Sequence, residues 1–350
     1  MTHDFITGIQ QIGIGVKNLK QSTHLYKDIF GLDVLIFDDT SDAHLMTQYT
    51  GGKIYNRHAV LTMNLAGGGG VEIWKYNNRV PKEKSTKIKY GDIGIYAAKI
   101  KCKDVQLAHS ILSSKNDIIV SHLNTELKNA HHFYIKDPSG NNFNVVPGHD
   151  WFKANNKATG GVVGAVIGVS DIEKSLSFYT QFLGISEIIY DETGMYFDIV
   201  DAVEIHCRRI LLRKKVTGNG AFNKLLGSVE IELVQRLDET AEKIFKDRFW
   251  GDCGFIHLCF DVLNMDKLKT HAASMGIKFT VDSHESFSMD NASGRFCYAE
   301  DPDGTLIELV ETHKIPLLKK FGLYINLKKR NQQKPLPDWI INLLALSKVK

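Results

Sequence analysis

The sequence predicts an α+β chain made of four copies of one unit: a strand, a helix and about three more strands. Three observations carry this. A segment near the N-terminus returns at a constant offset of 153 residues, and a strand, turn and strand around Asp-Pro-x-Gly occurs twice. The 350 residues are 43% hydrophobic and 24% charged, which is ordinary globular composition with room for about two domains.

The first unit opens with Ile12-Gly-Ile-Gly-Val16, β-branched residues suited to a strand, followed by Asn18 where a helix cap belongs. Leu25, Tyr26 and Phe30 then mark an apolar helix face, and Gly31 its stop. The third unit repeats this with Ala165 to Val169, the cap Asp171, then Phe178, Tyr179, Leu183 and Gly184. Fainter copies begin the second unit, Ile95 to the cap Asp104, and the fourth, Phe255 to the cap Asn264. These two also end alike. Phe133 to Asn144 and Cys297 to Glu308 each give a strand, a tight turn (Asp137-Pro-Ser-Gly140 or Asp301-Pro-Asp-Gly304) and a return strand. The halves are expected to be residues 1–150 and 151–313.

Residues 314–350 have no counterpart in the repeats. They hold nine Lys and Arg against one acidic residue, Asp338, so this tail carries +8 and the rest of the chain −5, for a total of +3. The mildly acidic body fits a small-molecule pocket better than a polyanion surface, and the balance gives no support to a nucleic-acid role. Within the tail, Pro335 to Leu346 reads as an apolar helix capped by Asp338 that docks on the body or on a second subunit. Five cysteines without a Cys-x-x-Cys pair argue against both a disulfide scaffold and a zinc ribbon. No leader pattern follows Met1 and no apolar run is long enough for a membrane span, so a reduced, cytoplasmic protein is expected.

The module pattern over residues 7–312 resembles the vicinal oxygen chelate superfamily of glyoxalase I, bleomycin resistance proteins and type I extradiol dioxygenases. The closest signatures are Val169-Ser-Asp171 through Phe178-Tyr179 and Asp301-Pro-Asp-Gly-Thr-Leu-Ile-Glu308. The resemblance implies βαβββ modules paired into two open, cupped, eight-stranded mixed sheets. It also implies one divalent ion (Zn, Mn, Ni, Co or Fe) held at four inward positions of a cup. Transferred onto this chain, those positions read Gly164, Glu232, His257 and Glu308 in the C-terminal half, and Gln11, Glu72, Ala97 and Asn144 in the N-terminal half. The first set keeps one imidazole and two carboxylates, so His257, Glu308 and Glu232 are the expected metal ligands, with Glu230 as a substitute for Glu232. Glu308 or Glu232 would serve as base, and Tyr298 would hydrogen-bond the substrate. The N-terminal half, lacking an imidazole, is expected to be a scaffold.

The expected function is a metal-dependent enzyme acting on a small molecule with two neighbouring oxygens, through an enolate-like or oxyanion species; a homodimer is allowed. Two alternatives stand beside it: an extradiol ring-cleaving dioxygenase, which Gly164 disfavours by removing a first imidazole, and a non-enzymatic binding protein of the bleomycin-resistance kind. Other features have plainer readings. Gly67 to Gly70 lacks the Lys and Ser/Thr of a phosphate loop and reads as a flexible hairpin turn. His131 and His132, adjacent on a strand, face opposite sides, while His206 and Cys207 belong to a strand whose inward residues could line a cup.

Overall fold

The structure is a computed structural model describing residues 4–124, 131–196, 204–216, 218–284, 287–289, 292–318 and 323–350. Module 1 comprises β1 (Ile6–Gly15), α1 (Leu19–Phe30), β2 (Val34–Asp42), β3 (Asn56–Met63) and β4 (Gly70–Tyr76). Module 2 is β5 (Gly94–Cys102), α2 (Val105–Ser113), β6 (Ile119–Val120), β7 (Phe133–Lys136) and β8 (Asn142–Pro147). Module 3 is β9 (Thr159–Gly168), α3 (Ile172–Ser177), β10 (Glu187–Tyr196), β11 (Ile205–Lys214), the short α4 (Asn223–Leu226) and β12 (Val229–Arg236). Module 4 is β13 (Gly254–Val262), α5 (Met265–Ser274), β14 (Phe279–Asp282), β15 (Phe287–Met289), β16 (Ala292–Glu300) and β17 (Leu306–Leu318); β18 (Leu323–Asn326) and α6 (Asp338–Asn342) follow.

The four expected caps form. Asn18, Asp104, Asp171 and Asn264 each accept a hydrogen bond from a backbone N–H in the first turn of the helix they precede. Gly31 closes α1 at φ 63°, a conformation that glycine adopts without the steric cost of a Cβ.

The modules share sheets in an order that cuts across the expected halves. One sheet runs β14-β16-β17-β13-β1-β4-β3-β2, joining module 4 to module 1, and the other β10-β11-β12-β9-β5-β8-β7-β6, joining module 3 to module 2. At the first sheet's centre β1 runs antiparallel to β13, with Gly13 opposite His257. The second sheet's centre is the pair β9 and β5, with Val166 opposite Ala97. Residues 1–150 and 151–313 therefore do not each own a cup. Within each half, contact is made from helix to turn. Tyr26 of α1 donates to the Asp137 carboxylate of the module 2 turn at 2.7 Å, and Tyr179 donates to Asp301 of the module 4 turn at 3.1 Å.

A single apolar core, including Ile12, Ile14, Phe143, Ile167, Leu258 and Phe260 with the module helices, holds the two sheets together. Phe143 of β8 packs edge-on against Phe255 of β13 at 5.5 Å, and against Tyr26 at the same distance, so both sheets meet around one ring. The glycine run between β3 and β4 is buried here rather than flexible. Gly69 and Val162 exchange backbone hydrogen bonds, and a Cβ on Gly68 would lie 2.7 Å from the backbone of Gly161. Only glycine lets the two segments approach so closely.

The tail folds onto module 1. Leu35 N–H bonds the Ser347 carbonyl at 3.0 Å, and Val349 N–H bonds the Asp33 carbonyl at 2.9 Å. Asp338 proves to be the first residue of α6 rather than its cap, because its carboxylate turns to Lys224 Nζ at 2.8 Å. Among the described residues, no helix is long and apolar enough to cross a membrane.

Candidate metal centre

Strand alternation and the cross-sheet pairing together decide which predicted residues meet. Glu72 stands opposite Gly13 on the parallel neighbour of β1, and His257 stands opposite Gly13 on its antiparallel neighbour. Both side chains thus arrive over a residue that has none. A Cβ on Gly13 would lie 2.5 Å from both Nε2 and Cε1 of His257, so the imidazole occupies the space a side chain there would fill. Glu308 comes from β17, beside β13. Its Oε2 and that of Glu72 each lie 3.2 Å from His257 Nε2. One donor atom from each of the three residues fits within 4.8 Å of the others, and all three residues are buried. Gln11 completes the arc, its amide donating to Glu72 Oε2 at 3.1 Å.

The cluster is rich in acceptors and poor in donors. Tyr298 Oη lies 3.2 Å from His257 Nδ1. With Nδ1 protonated and donating to that oxygen, as ligating histidines donate to a second group, Nε2 turns a lone pair toward two carboxylates. His257 Nε2 and Glu308 Oε2 are buried without a well-formed hydrogen bond. A cation satisfies such a set directly. The same field acts on protons: burial disfavours the charged imidazole, but the carboxylates of Glu308 and Glu72 outweigh it and raise the His257 pKa above 6.5. Burial, with Glu72 beside it, raises the Glu308 pKa, while His257 pulls it back. Burial and the same two carboxylates push the Tyr298 phenol well above its usual value, so it stays neutral. One imidazole, two carboxylates and a side-chain amide are a donor set that fits a divalent ion of the Zn, Mn, Co, Ni or Fe kind.

His257, Glu308 and Tyr298 come together as the sequence suggests; Glu232 does not join them. It holds the position in the second cup that Glu72 holds in the first, opposite Val166 as Glu72 is opposite Gly13. That cup is closed by ion pairs. Arg209 donates to Glu232 through Nε at 2.9 Å and Nη2 at 2.6 Å, and Lys99 Nζ donates at 3.0 Å. Burial alone would raise the Glu232 pKa, but Arg209 and Lys99 reverse this and hold it far below the usual carboxylate range. The remaining positions are also lost. Ala97 offers no donor, Asn144 bonds His132 Nδ1 at 3.0 Å, and a Cβ on Gly164 would collide with the Glu230 carbonyl. Glu230 itself binds Arg213 at 2.7 Å. Arg209 and Cys207 lie on the inward face of β11, among the tyrosines that fill this cup; His206, on the opposite face, is half-buried.

Sequence reading missed Glu72 and Gln11 as partners of His257. The signal was present in the four-position count: Gln11 and Glu72 lacked what His257 and Glu308 supply, and each incomplete set completes the other.

Above the cluster lies a cavity of about 800 Å³, bounded by the concave face of the first sheet, by Trp250, and by the tail. Module 3 adds Phe222, Leu225 and Leu226, at and beside α4, to its lining.

The comparisons agree with this architecture. The family model Glyoxalase/Bleomycin resistance protein/Dioxygenase superfamily matches twice, over residues 8–145 and 161–309. Among solved structures, glyoxalase I from Zea mays aligns with a TM-score of 0.54 at 14% identity, covering 87% of this chain and 92% of that one. A Bacillus subtilis protein described as a candidate dioxygenase aligns with a TM-score of 0.55 at 13% identity, covering 87% of this chain and 85% of the other. At such identities the likeness is one of fold. No curated protein matches the sequence significantly. With two family matches spanning the four modules, the chain belongs to the Glyoxalase/Bleomycin resistance protein/Dioxygenase superfamily.

Proposed function

We propose that the protein is a metal-dependent enzyme of this superfamily acting on a small molecule that presents two neighbouring oxygens, with its working site in the cup shared by modules 1 and 4. The observation that carries this is the buried cluster of Glu72, His257 and Glu308, three acceptor groups within 4.8 Å at the base of the large cavity. Gln11, Glu72, His257 and Glu308 would hold the ion. When bound, a divalent ion there supplies Lewis-acid polarisation of the substrate oxygens.

The chain's own residues then supply binding, orientation and proton transfer. Glu72 and Glu308 reach the cluster from strands of opposite modules, so either carboxylate can take a proton from the substrate on its own side. Tyr298 is a positioning residue: it orients the His257 ring through Nδ1. Trp74 and Trp250, packed edge to face at 4.4 Å, wall the site against water. The single imidazole weighs against ring cleavage with ferrous iron, which is served in related enzymes by two. Two carboxylates converging on one buried imidazole at the base of the cavity favour an ion-binding centre over a metal-free binding protein.

Plasma mass spectrometry on protein purified without a His tag tests the reading. One divalent ion per chain is expected in the natural protein, and none in His257→Ala or Glu308→Ala with the circular dichroism spectrum unchanged. A natural protein that holds no ion after incubation with Zn, Mn, Co, Ni or Fe(II) refutes it.

A further inference from the structure

The cavity says more about the substrate than the cluster does. Its volume of about 800 Å³ is that of a pocket for a drug-sized molecule, far beyond what a three-carbon dicarbonyl would fill. Away from the cluster, the sheet side contributes apolar residues, among them Leu35, Phe37, Leu61 and Met63. The tail lines the same space with Leu336, Ile340, Ile341 and Leu344, packed in one apolar cluster with Met63 and with Leu225 and Leu226 of α4. The tail is fastened beside it by the backbone bonds to Asp33 and Leu35 and by Lys27 Nζ, which bonds the Val349 carbonyl at 3.0 Å.

The charges on the lining point the same way. Asp42, Glu72 and Glu308 are acidic. Arg57 is 5% exposed and already committed: Nη1 binds Asp39 at 2.5 Å, and the guanidinium lies 4.9 Å from the centre of the Trp74 ring. No cluster of free cations among the described lining residues is placed to receive a carboxylate or phosphate on the body of a ligand.

We infer that the substrate is a molecule whose neighbouring oxygens sit at the Glu72, His257 and Glu308 cluster, and whose large, uncharged, apolar body fills the cavity against the C-terminal tail. The inference rests on the metal-dependent reading for the oxygen-bearing end only. The tail is thereby a specificity element of the site and not an appendage.

Alkyl hydroxamates, which carry two neighbouring oxygens, probe both ends. Titration calorimetry on the zinc-loaded protein should show octanohydroxamate binding at least about a hundredfold more tightly than acetohydroxamate, since each buried methylene contributes about fourfold. A hydroxamate of the same length ending in a carboxylate should lose most of that gain. The neutral fluorophore 1-aminoanthracene, which has no chelating oxygens, should bind saturably with or without metal. Ile340→Gln should weaken both apolar probes about tenfold while acetohydroxamate affinity and metal content hold. Leu346→Gln, at an exposed position on the same lining, should weaken them a few-fold without any risk to folding. Acetohydroxamate binding without any gain from chain length overturns the inference and leaves the metal reading intact. Aminoanthracene binding by a protein that takes up no metal does the reverse.

Discussion

Glu72 and Glu232 hold equivalent positions in the two cups, and exchanging each for glutamine separates a metal site from an ion-paired core. Glu232 is 1% exposed and accepts hydrogen bonds from Arg209 Nε and Nη2, Lys99 Nζ and, at 3.4 Å, Tyr90 Oη. Glu232→Gln takes the charge from between Arg209 and Lys99, and Glu230, 3.7 Å from Lys99, is already bound to Arg213. Breaking a buried pair in this way costs about 3–5 kcal/mol. For a chain of 350 residues that corresponds to a fall in Tm of about 4–7 °C. Glu72→Gln removes one of two carboxylates crowded on a single imidazole, and the metal-free protein should change by no more than about 1–2 kcal/mol. Urea denaturation and metal content, measured on both variants, give opposite patterns: Glu232→Gln unstable with its metal retained, Glu72→Gln stable with its metal lost. The pH dependence adds a sign. The folded pKa of Glu232 lies below the unfolded 4.5, so its stabilisation is complete above about pH 4.5. It shrinks as the unfolded chain takes up the proton and is gone once pH falls below the folded value. Loss of metal in Glu232→Gln, or equal stability to the natural protein at pH 7, would refute the assignment of the two cups.

Three further outcomes are expected. Gly13→Ala places a methyl group where the His257 ring lies, and should abolish metal binding while leaving the far-ultraviolet spectrum intact; stoichiometric metal in that variant would contradict the geometry. Tyr26→Phe and Tyr179→Phe each remove a buried hydrogen bond to a turn aspartate and should cost about 1 kcal/mol in urea titration, without changing metal content. Asp261 is buried beside Thr7, and burial, assisted by Glu311 against the Thr7 hydrogen bond, raises its pKa from 3.8 to about 7. The folded state therefore binds more protons than the unfolded between those values, so this group makes stability fall as pH rises from about 4 to 7. Asp261→Asn should flatten that slope, and an unchanged slope would count against the raised value.

Local features were legible in the sequence because local chemistry fixes them. Asn18, Asp104, Asp171 and Asn264 cap helices through their own side chains, and Gly31 ends one by its φ, so no distant contact is needed to recognise them. The inward registers of His257 and Glu308 were legible too, since strand alternation carries them inward whatever lies beside them. The choice of partner was not. The first strands of all four modules are alike, and β1 could lie against β5 or β13 with the same antiparallel pairing; contacts between sheets, such as the Gly68 and Gly161 approach, help settle it. Taking each half as a cup made Glu232 a ligand. Arg209 could have warned against this, because it stands where the other cup has Ala59, but that equivalence appears only once β11 is aligned to β12 as β3 is to β4.

A cup built from modules 1 and 4 has a consequence for synthesis. The residues that meet in it, Gln11, Glu72, His257 and Glu308, span nearly the whole chain, so the centre cannot exist until the fourth module has left the ribosome. During that interval β1 has β4 on one side and nothing on the other, an open apolar edge of the kind that invites pairing with another chain. Modules 2 and 3, adjacent in sequence, can close their own sheet as soon as both are made, and their buried ion pairs need no ion from outside. The ion-paired cup is thus placed to fold first and to hold module 1 in position, through the core around Phe143, until its distant partner arrives.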